Sequence, residues 1–222
     1  YAETWAKYRK DLAEFTEKKK TPEPGKGEAK AVEPVKPKRD VRLERVARTL
    51  DPQAPLPVRV EVHAEDALRG VLKLAEEFKL RLVIEGGTEG GPLAALFAKA
   101  GVPVLAAPAL RYGAPDVDQL RHSPGLAADL SKAGVRVAIG SFPESPPGGG
   151  SPSRFMAEYA ALAVAGGLPR EHALAAVTWN AARALGAEKE VGSIEAGRRG
   201  DLVVLSGDPF EPGTRVERVL VG

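Results

Sequence analysis

Short apolar stretches alternate with helical spacing of apolar residues between residues 57 and 140. The predicted strands span residues 58–62, 81–85, 102–106 and 135–140. Predicted helices span 65–79 and 92–100, and Ser123 with Pro124 is predicted to open a third. Strands that alternate with helices indicate an α/β fold with a parallel sheet and right-handed crossovers.

The segments before this repeat have a different pattern. Residues 1–20 carry aromatic and apolar side chains at helical spacing, which predicts a helix. Residues 21–39 are rich in Lys, Glu, Pro and Gly and have little to bury, so we expect a flexible linker. Asp40 is then predicted to cap a second helix at its amino end.

After the repeat come three predicted helices at 154–165, 170–177 and 181–185, with Asn180 as the expected cap of the last. Strand-like stretches follow at 191–194, 201–205 and 216–221, predicting a small β addition. Four strand-helix units cannot close a barrel by themselves. Either the sheet is open, or the missing half lies upstream or on another chain.

Composition narrows the possible classes of function. The formal net charge is +2, with +3 on residues 1–40 and −1 on the rest, which gives no case for nucleic-acid binding. There is no Cys, so disulfide scaffolds and thiolate metal sites are excluded. No stretch approaches the ~20 apolar residues of a membrane span. One Asn, two Gln and 19 Pro suggest a thermostable protein, although a GC-rich genome would give a similar bias.

The sequence leaves the compartment open. The first residue is Tyr1 rather than Met, so the lack of a visible leader does not separate a cytoplasmic from an exported protein.

The candidate chemistry lies where the first two predicted strands end. His63 is the one His of three at a strand's carboxyl end, where parallel α/β folds place their sites; His122 and His172 are expected to be structural. Five carboxylates are predicted near the carboxyl ends of the same two strands. They could bind a hard cation, or they could be ordinary solvent-exposed charges of the loops. They are Glu61, Glu65, Asp66, Glu85 and Glu89.

A glycine-rich loop, residues 86–91, follows the second predicted strand. Such a loop before a helix can bind phosphate. The loop matches neither common phosphate motif, and Glu89 would repel an anion, so an ordinary strand-to-helix connection is the favoured interpretation.

The last third carries a long ordered pattern: residues 168–174, the Thr-Trp-Asn-Ala-Ala-Arg-Ala-Leu-Gly run at 178–186, the Val-Gly-Ser-Ile run at 191–205, and Gly-Asp-Pro at 207–209. This pattern resembles the end of an amidohydrolase-superfamily protein of the imidazolonepropionase-like kind. The resemblance implies the second half of a (β/α)₈ TIM-type barrel plus part of a small β-sandwich at the carboxyl terminus. Residues 1–20 would then be the helix of an insertion, 21–39 its linker, 40–190 the barrel units and 191–222 the sandwich portion.

The resemblance also implies metal-dependent hydrolysis of C–N and related bonds. Matched to the family pattern, Glu61 stands at the fifth-strand His ligand and His63 at the following non-ligand His. Gly86 stands at the sixth-strand His ligand, and Phe142 stands at the catalytic Asp. Glycine offers no ligand atom and phenylalanine carries no proton, so no catalytic or metal-binding residue is expected at the usual positions.

Three hypotheses follow. The first is an amidohydrolase-like protein without metal hydrolysis, a pseudoenzyme acting as a structural or regulatory subunit, with no cofactor. The second is an active hydrolase of non-peptide C–N bonds, with zinc held by Glu61, His63 or Glu85 and by residues of the missing half. The third is a small-ligand-binding module in which Gly86 makes room. The expected partners are an N-terminal half-barrel, on the same or another chain, and amidohydrolase-like subunits in a homo- or hetero-oligomer.

Overall fold

A computed structural model describes residues 1–20, 32–106, 123–141 and 152–222. They form two compact units, residues 1–56 and 57–222. The first holds two helices, α1 (Ala2–Lys20) and α2 (Val41–Thr49). The second holds the strands β1 (Val58–Val62), β2 (Leu82–Gly86), β3 (Val104–Ala106), β4 (Val137–Ile139), β5 (Leu202–Leu205) and β6 (Val216–Leu220). Its helices are α3 (Glu65–Phe78), α4 (Ala94–Ala100), α5 (Leu126–Lys132), α6 (Met156–Ala165), α7 (Arg170–Val177) and α8 (Trp179–Leu185), and 3₁₀ turns at Gly91–Leu93 and Pro152–Phe155 precede α4 and α6.

The predicted helix caps have mixed outcomes. The Asp40 carboxylate accepts hydrogen bonds from the N–H groups of Arg42 and Leu43 at 2.9 and 3.2 Å, which confirms it as the cap of α2. Asn180 lies inside α8 instead, and its side-chain amide donates to the Val137 carbonyl at 2.9 Å. Its amide therefore joins α8 to β4 rather than capping a helix.

The first four strands form one parallel sheet in the order β1-β2-β3-β4. Consecutive parallel strands joined by helices are what the alternating pattern predicts. Each of these four strands begins and ends within two residues of its predicted bounds. The α/β class and the parallel sheet are thereby confirmed.

Helices cover one face of this sheet. Leu68 of α3, Ile84 of β2 and Phe97 of α4 are fully buried in the larger core there. Removing such side chains from water contributes about 1.5–3 kcal/mol each. The opposite face holds a smaller cluster of Val83, Leu105 and Ala138, against which Ala184 and Ala181 of α8 pack.

The carboxyl-terminal segment forms a two-stranded antiparallel sheet of β5 and β6. Residues 191–194, predicted as strand-like, are not a strand. Gly192 has φ +99, and a Cβ there would come within 2.6 Å of the Ala182 Cβ, so the chain turns closely against α8. A β-sandwich remains a prediction.

Candidate functional site

The carboxyl ends of β1 and β2 lie side by side. Glu61 is paired in register with Glu85, and Val62 with Gly86. Glu85 lies two residues after Val83 in β2, and side chains alternate between the two faces of a strand, so Glu85 is on the same face as Val83. Glu61 is paired with Glu85 and lies on that face too, opposite the larger core. Glu85 forms an ion pair with Arg59 of β1, whereas the Glu61 side chain is 58% exposed.

The imidazole of His63 packs directly against Gly86. A Cβ added to Gly86 would come within 2.3 Å of His63 Cε1 and within 2.9 Å of both ring nitrogens. The backbone of Gly86 also has φ +87, a conformation that favours glycine. The space that a side chain at position 86 would need is therefore filled by the side chain of the residue that directly follows the neighbouring strand.

Contacts with Thr88 and Glu61 orient the His63 ring. Its Nδ1 lies 2.6 Å from Thr88 Oγ1, and its Nε2 lies 3.7 Å from Glu61 Oε1. The His63 side chain is 10% exposed and Thr88 is 2% exposed, so the Thr88 contact is shielded from water. Sequence reasoning missed Thr88, and the one available signal was that it is the only hydroxyl residue in the sequence of the loop, residues 86–91.

The glycine-rich loop is held by backbone hydrogen bonds. The N–H groups of Gly87 and Glu89 donate to the carbonyls of Val62 and His63 at 2.8 and 3.0 Å, and the Gly90 N–H donates to Gly87 at 2.8 Å. These donors are thus committed within the protein. The geometry favours the ordinary strand-to-helix connection over a phosphate-binding loop.

The remaining candidate carboxylates contact their own neighbours. Glu89 Oε2 accepts the Glu65 N–H at the start of α3 at 3.0 Å. The Glu65 carboxylate pairs with Arg69 at 2.7 Å. Across the described ranges, no three His, Asp or Glu side chains are grouped so that they could hold a metal ion.

The other predicted positions lie apart from this cluster. Phe142 and His122 fall outside the residues that the structure describes. His172 of α7 contacts Ser131 of α5 through its Nδ1 at 2.8 Å, as expected for a structural histidine.

A cavity of about 390 Å³ opens beside the glycine-rich loop. Its lining includes Thr88 and Glu89 of the loop and Ser123 and Asp129 from the region where α5 begins. It is therefore bordered by the loop and by the start of α5.

The family profile described as "Amidohydrolase family" matches residues 93–221, more than half of the chain. The chain belongs to the amidohydrolase family. This confirms the resemblance seen in the carboxyl-terminal third.

Two curated relatives align with parts of this amidohydrolase-family chain. An imidazolonepropionase from Shouchella clausii (strain KSM-K16) is 38% identical over 95 residues, which cover 41% of this chain and 20% of that protein. An N-substituted formamide deformylase from Arthrobacter pascens is 34% identical over 131 residues, covering 51% of this chain and 23% of that protein. The aligned parts thus represent about a fifth of each curated relative.

A solved amidohydrolase from Thermotoga maritima MSB8 matches with a TM-score of 0.75 and 30% identity. The match covers 99% of this chain and 54% of that one. Together with the four parallel strands, it indicates an α/β fold of the TIM-barrel type. The chain spans about half of that solved structure.

None of the helices in the described part of the chain is long and apolar enough to span a membrane.

Proposed function

We propose that this amidohydrolase-family chain does not perform metal-dependent hydrolysis at the family's usual site and acts as a structural or regulatory subunit. The observation that carries the proposal is Gly86, packed against the His63 ring at the position where the family resemblance places a histidine ligand. Glycine has no donor atom, and the neighbouring imidazole fills the space of any side chain there.

The other matched positions agree with this proposal. Glu61 replaces the fifth-strand histidine, and a single carboxylate is not a transition-metal site. Phe142, at the position of the catalytic Asp, can neither bind metal nor transfer a proton. The donor set present does not fit the family's metal centre.

A role within a larger assembly is supported by the sheet itself. At the carboxyl ends of β1 and β2, Glu61 and the Arg59–Glu85 pair lie on the face that a closed barrel would turn inward. The chain covers 54% of the solved relative. We therefore infer that an N-terminal half-barrel, on the same or another chain, covers this face, and that amidohydrolase-like subunits associate with it.

Metal content and turnover, measured on the same sample, test the absence of hydrolysis. The purified protein is incubated with zinc, dialysed, analysed by mass spectrometry for metal, and assayed on N-formyl amines and cyclic amides. We expect far less than one zinc per chain and no turnover above buffer, with the Shouchella clausii imidazolonepropionase as the assay control. One zinc per chain together with hydrolysis would refute the proposal.

Copurification tests the subunit role. We expect an affinity-tagged form of the protein, purified from its own cells, to bring down an amidohydrolase-like chain in fixed proportion. Recovery as a lone species at every concentration tested would contradict a subunit role.

A second candidate is a hydrolase with an atypical centre. His63 Nε2 and Glu61 Oε1 are 3.7 Å apart, close enough for both to contact one ion after a small adjustment. Glu85 is a weaker third donor because Arg59 already binds its carboxylate. The variant Glu61→Ala tests this candidate, and Glu77→Ala, at an exposed position of α3, is the control. Unchanged zinc content and activity in Glu61→Ala would eliminate this candidate.

The small-ligand module is less well supported. It required Gly86 to leave an open space, and the His63 imidazole occupies that space. Any ligand would have to bind at a different place near the carboxyl ends of the strands.

A further inference from the structure

The His63 imidazole joins a hydroxyl group to a carboxylate. Its Nδ1 lies 2.6 Å from Thr88 Oγ1, and its Nε2 lies 3.7 Å from Glu61 Oε1. The two contacts therefore use the two different nitrogens of one ring. A hydroxyl, an imidazole and a carboxylate in this order are the groups of a nucleophile, its general base and the residue that orients the base.

The carboxylate determines how His63 can act on Thr88. An ionised carboxylate only accepts hydrogen bonds, so Glu61 favours the tautomer of the imidazole that carries its proton on Nε2. Nδ1 is then an acceptor, and the Thr88 hydroxyl donates to it. An acceptor nitrogen on the hydroxyl group is what general-base catalysis requires.

The loop that carries Thr88 is a tight connection between β2 and the turn before α4. The Glu89 N–H donates to the His63 carbonyl at 3.0 Å, which ties the loop to the residue after β1. Gly86 and Gly90 lie two residues on either side of Thr88. A hydroxyl residue with this glycine spacing, at a strand-to-helix turn, is also how many hydrolases present their nucleophile.

A cavity gives access to this loop from the helical side of the sheet. Thr88 lines the cavity of about 390 Å³, together with Pro92 before α4 and Leu126 of α5. Both helices pack on the larger core, so the cavity is not on the face of Glu61 that a half-barrel would cover. Thr88 is only 2% exposed, which restricts its hydroxyl to small reaction partners.

We propose that Thr88 is a nucleophile that accepts a small acyl group, of the formyl or acetyl class, from an ester. The Thr88 oxygen bonds to the acyl carbon while its proton passes to His63 Nδ1. The bond from the acyl carbon to the leaving oxygen then breaks, and that oxygen takes the proton from His63. The products are acylated Thr88 and a free alcohol.

Glu61 is a positioning residue in this scheme, because it acts on Thr88 only through the His63 ring. The step balances without a metal ion or any further reactant. It therefore goes beyond the subunit role proposed above and does not depend on it.

Acetylation by p-nitrophenyl acetate tests the proposal. The release of p-nitrophenol is followed by absorbance, and peptide mass spectrometry locates the acetyl group. We expect a burst of one p-nitrophenol per chain, with the acetyl group on Thr88. The bulkier p-nitrophenyl pivalate should acylate Thr88 at least about tenfold more slowly, because the hydroxyl is buried.

Substitutions separate this step from general surface acetylation. Thr88→Val keeps the shape of the side chain and should abolish acetylation at this position, whereas Thr88→Ser should retain it. His63→Ala should slow it at least about a hundredfold through loss of the base. Ser131→Ala is the matched control, because it removes an exposed hydroxyl that contacts His172 Nδ1 at 2.8 Å, and it should leave the rate unchanged.

The role of Glu61 has its own spectroscopic test. In ¹⁵N NMR spectra we expect the His63 proton on Nε2, and a larger share on Nδ1 in Glu61→Gln. Acetylation of Thr88 should slow about tenfold in this variant, less than for a buried orienting carboxylate, because Glu61 is 58% exposed.

Two results would overturn the proposal. One is acetylation of lysine side chains or Ser131 with none on Thr88 in the unchanged protein. The other is an equal burst of p-nitrophenol in Thr88→Val, Ser131→Ala and the unchanged protein.

Discussion

At the scale of single residues, the close packing of His63 on Gly86 is the most specific feature of the candidate site. The family resemblance predicts a glycine, at position 86, in the place of a histidine ligand. It does not indicate where the His63 ring would go, because that depends on the register of two strands and on the Thr88 contact across the loop. Both are tertiary facts, and local sequence pattern carries neither.

We expect Gly86→Ala to destabilise the protein by about 2–4 kcal/mol, combining strain at positive φ with a clash against the His63 ring. Gly101→Ala is the control, because Gly101 has φ +65 but open space around its Cβ. It should cost only about 1 kcal/mol. Urea unfolding of both variants measures the difference.

The clash also predicts non-additivity. In the double variant Gly86→Ala with His63→Ala, the ring that meets the new methyl group is absent. The double variant should therefore lose less free energy of unfolding than the sum of the losses in the two single variants. Equal losses in Gly86→Ala and Gly101→Ala would mean that the ring moves aside freely, and the packing argument would then fail.

At the scale of elements, the alternation of strands and helices was predictable because both periodicities are local. The structure of the carboxyl-terminal segments was less predictable from sequence. Asn180 looked like a cap because it precedes a helical pattern, yet its partner is a strand carbonyl 43 residues away in sequence. Residues 191–194 looked like a strand, but close contact between Gly192 and α8 imposes a turn.

The Asn180 contact predicts a loss of stability that depends on hydrogen-bond chemistry. Asn180→Ala should cost about 1 kcal/mol, because the Val137 carbonyl loses its side-chain donor. Asn180→Asp should cost more, since a carboxylate would face that carbonyl. Thermal unfolding measures both, with Gln53→Ala on an exposed turn as the control. A milder effect for Asp than for Ala would contradict this assignment.

At the scale of the whole molecule, the described residues form two units: residues 1–56 hold two helices, and residues 57–222 hold the four-stranded parallel sheet and the two-stranded antiparallel sheet. Within residues 57–222, Arg170 of α7 links the helical layer to the segment between β5 and β6. It pairs with Asp208 at 2.6 Å and with Glu211 at 3.1 Å, and lies over the Phe210 ring.

This link predicts an acid-sensitive attachment of the hairpin. The hydrogen bond from Arg170 lowers the pKa of Asp208, and the Phe210 N–H lowers it further. Because the folded pKa lies below the unfolded value of about 3.9, this stabilisation is complete above that value. It is lost as pH falls through the lower folded pKa. Arg170→Gln should therefore weaken the acid dependence of stability.

Carboxyl-carbon NMR titration checks the prediction directly. The pKa of Asp208 should rise toward its ordinary value in Arg170→Gln and stay low in the control Arg69→Gln. A value that does not change in Arg170→Gln would assign the shift to the Phe210 N–H instead.

The contact between His63 and Gly86 also limits how a metal site could be rebuilt in this protein. A histidine introduced at 86 by a single substitution would collide with the ring already there and would sit on backbone shaped for glycine. Placing a histidine ligand at position 86 would require at least two coordinated changes, one at each position. No single substitution therefore provides a histidine ligand at position 86. A design for zinc binding here must first replace or move the His63 side chain.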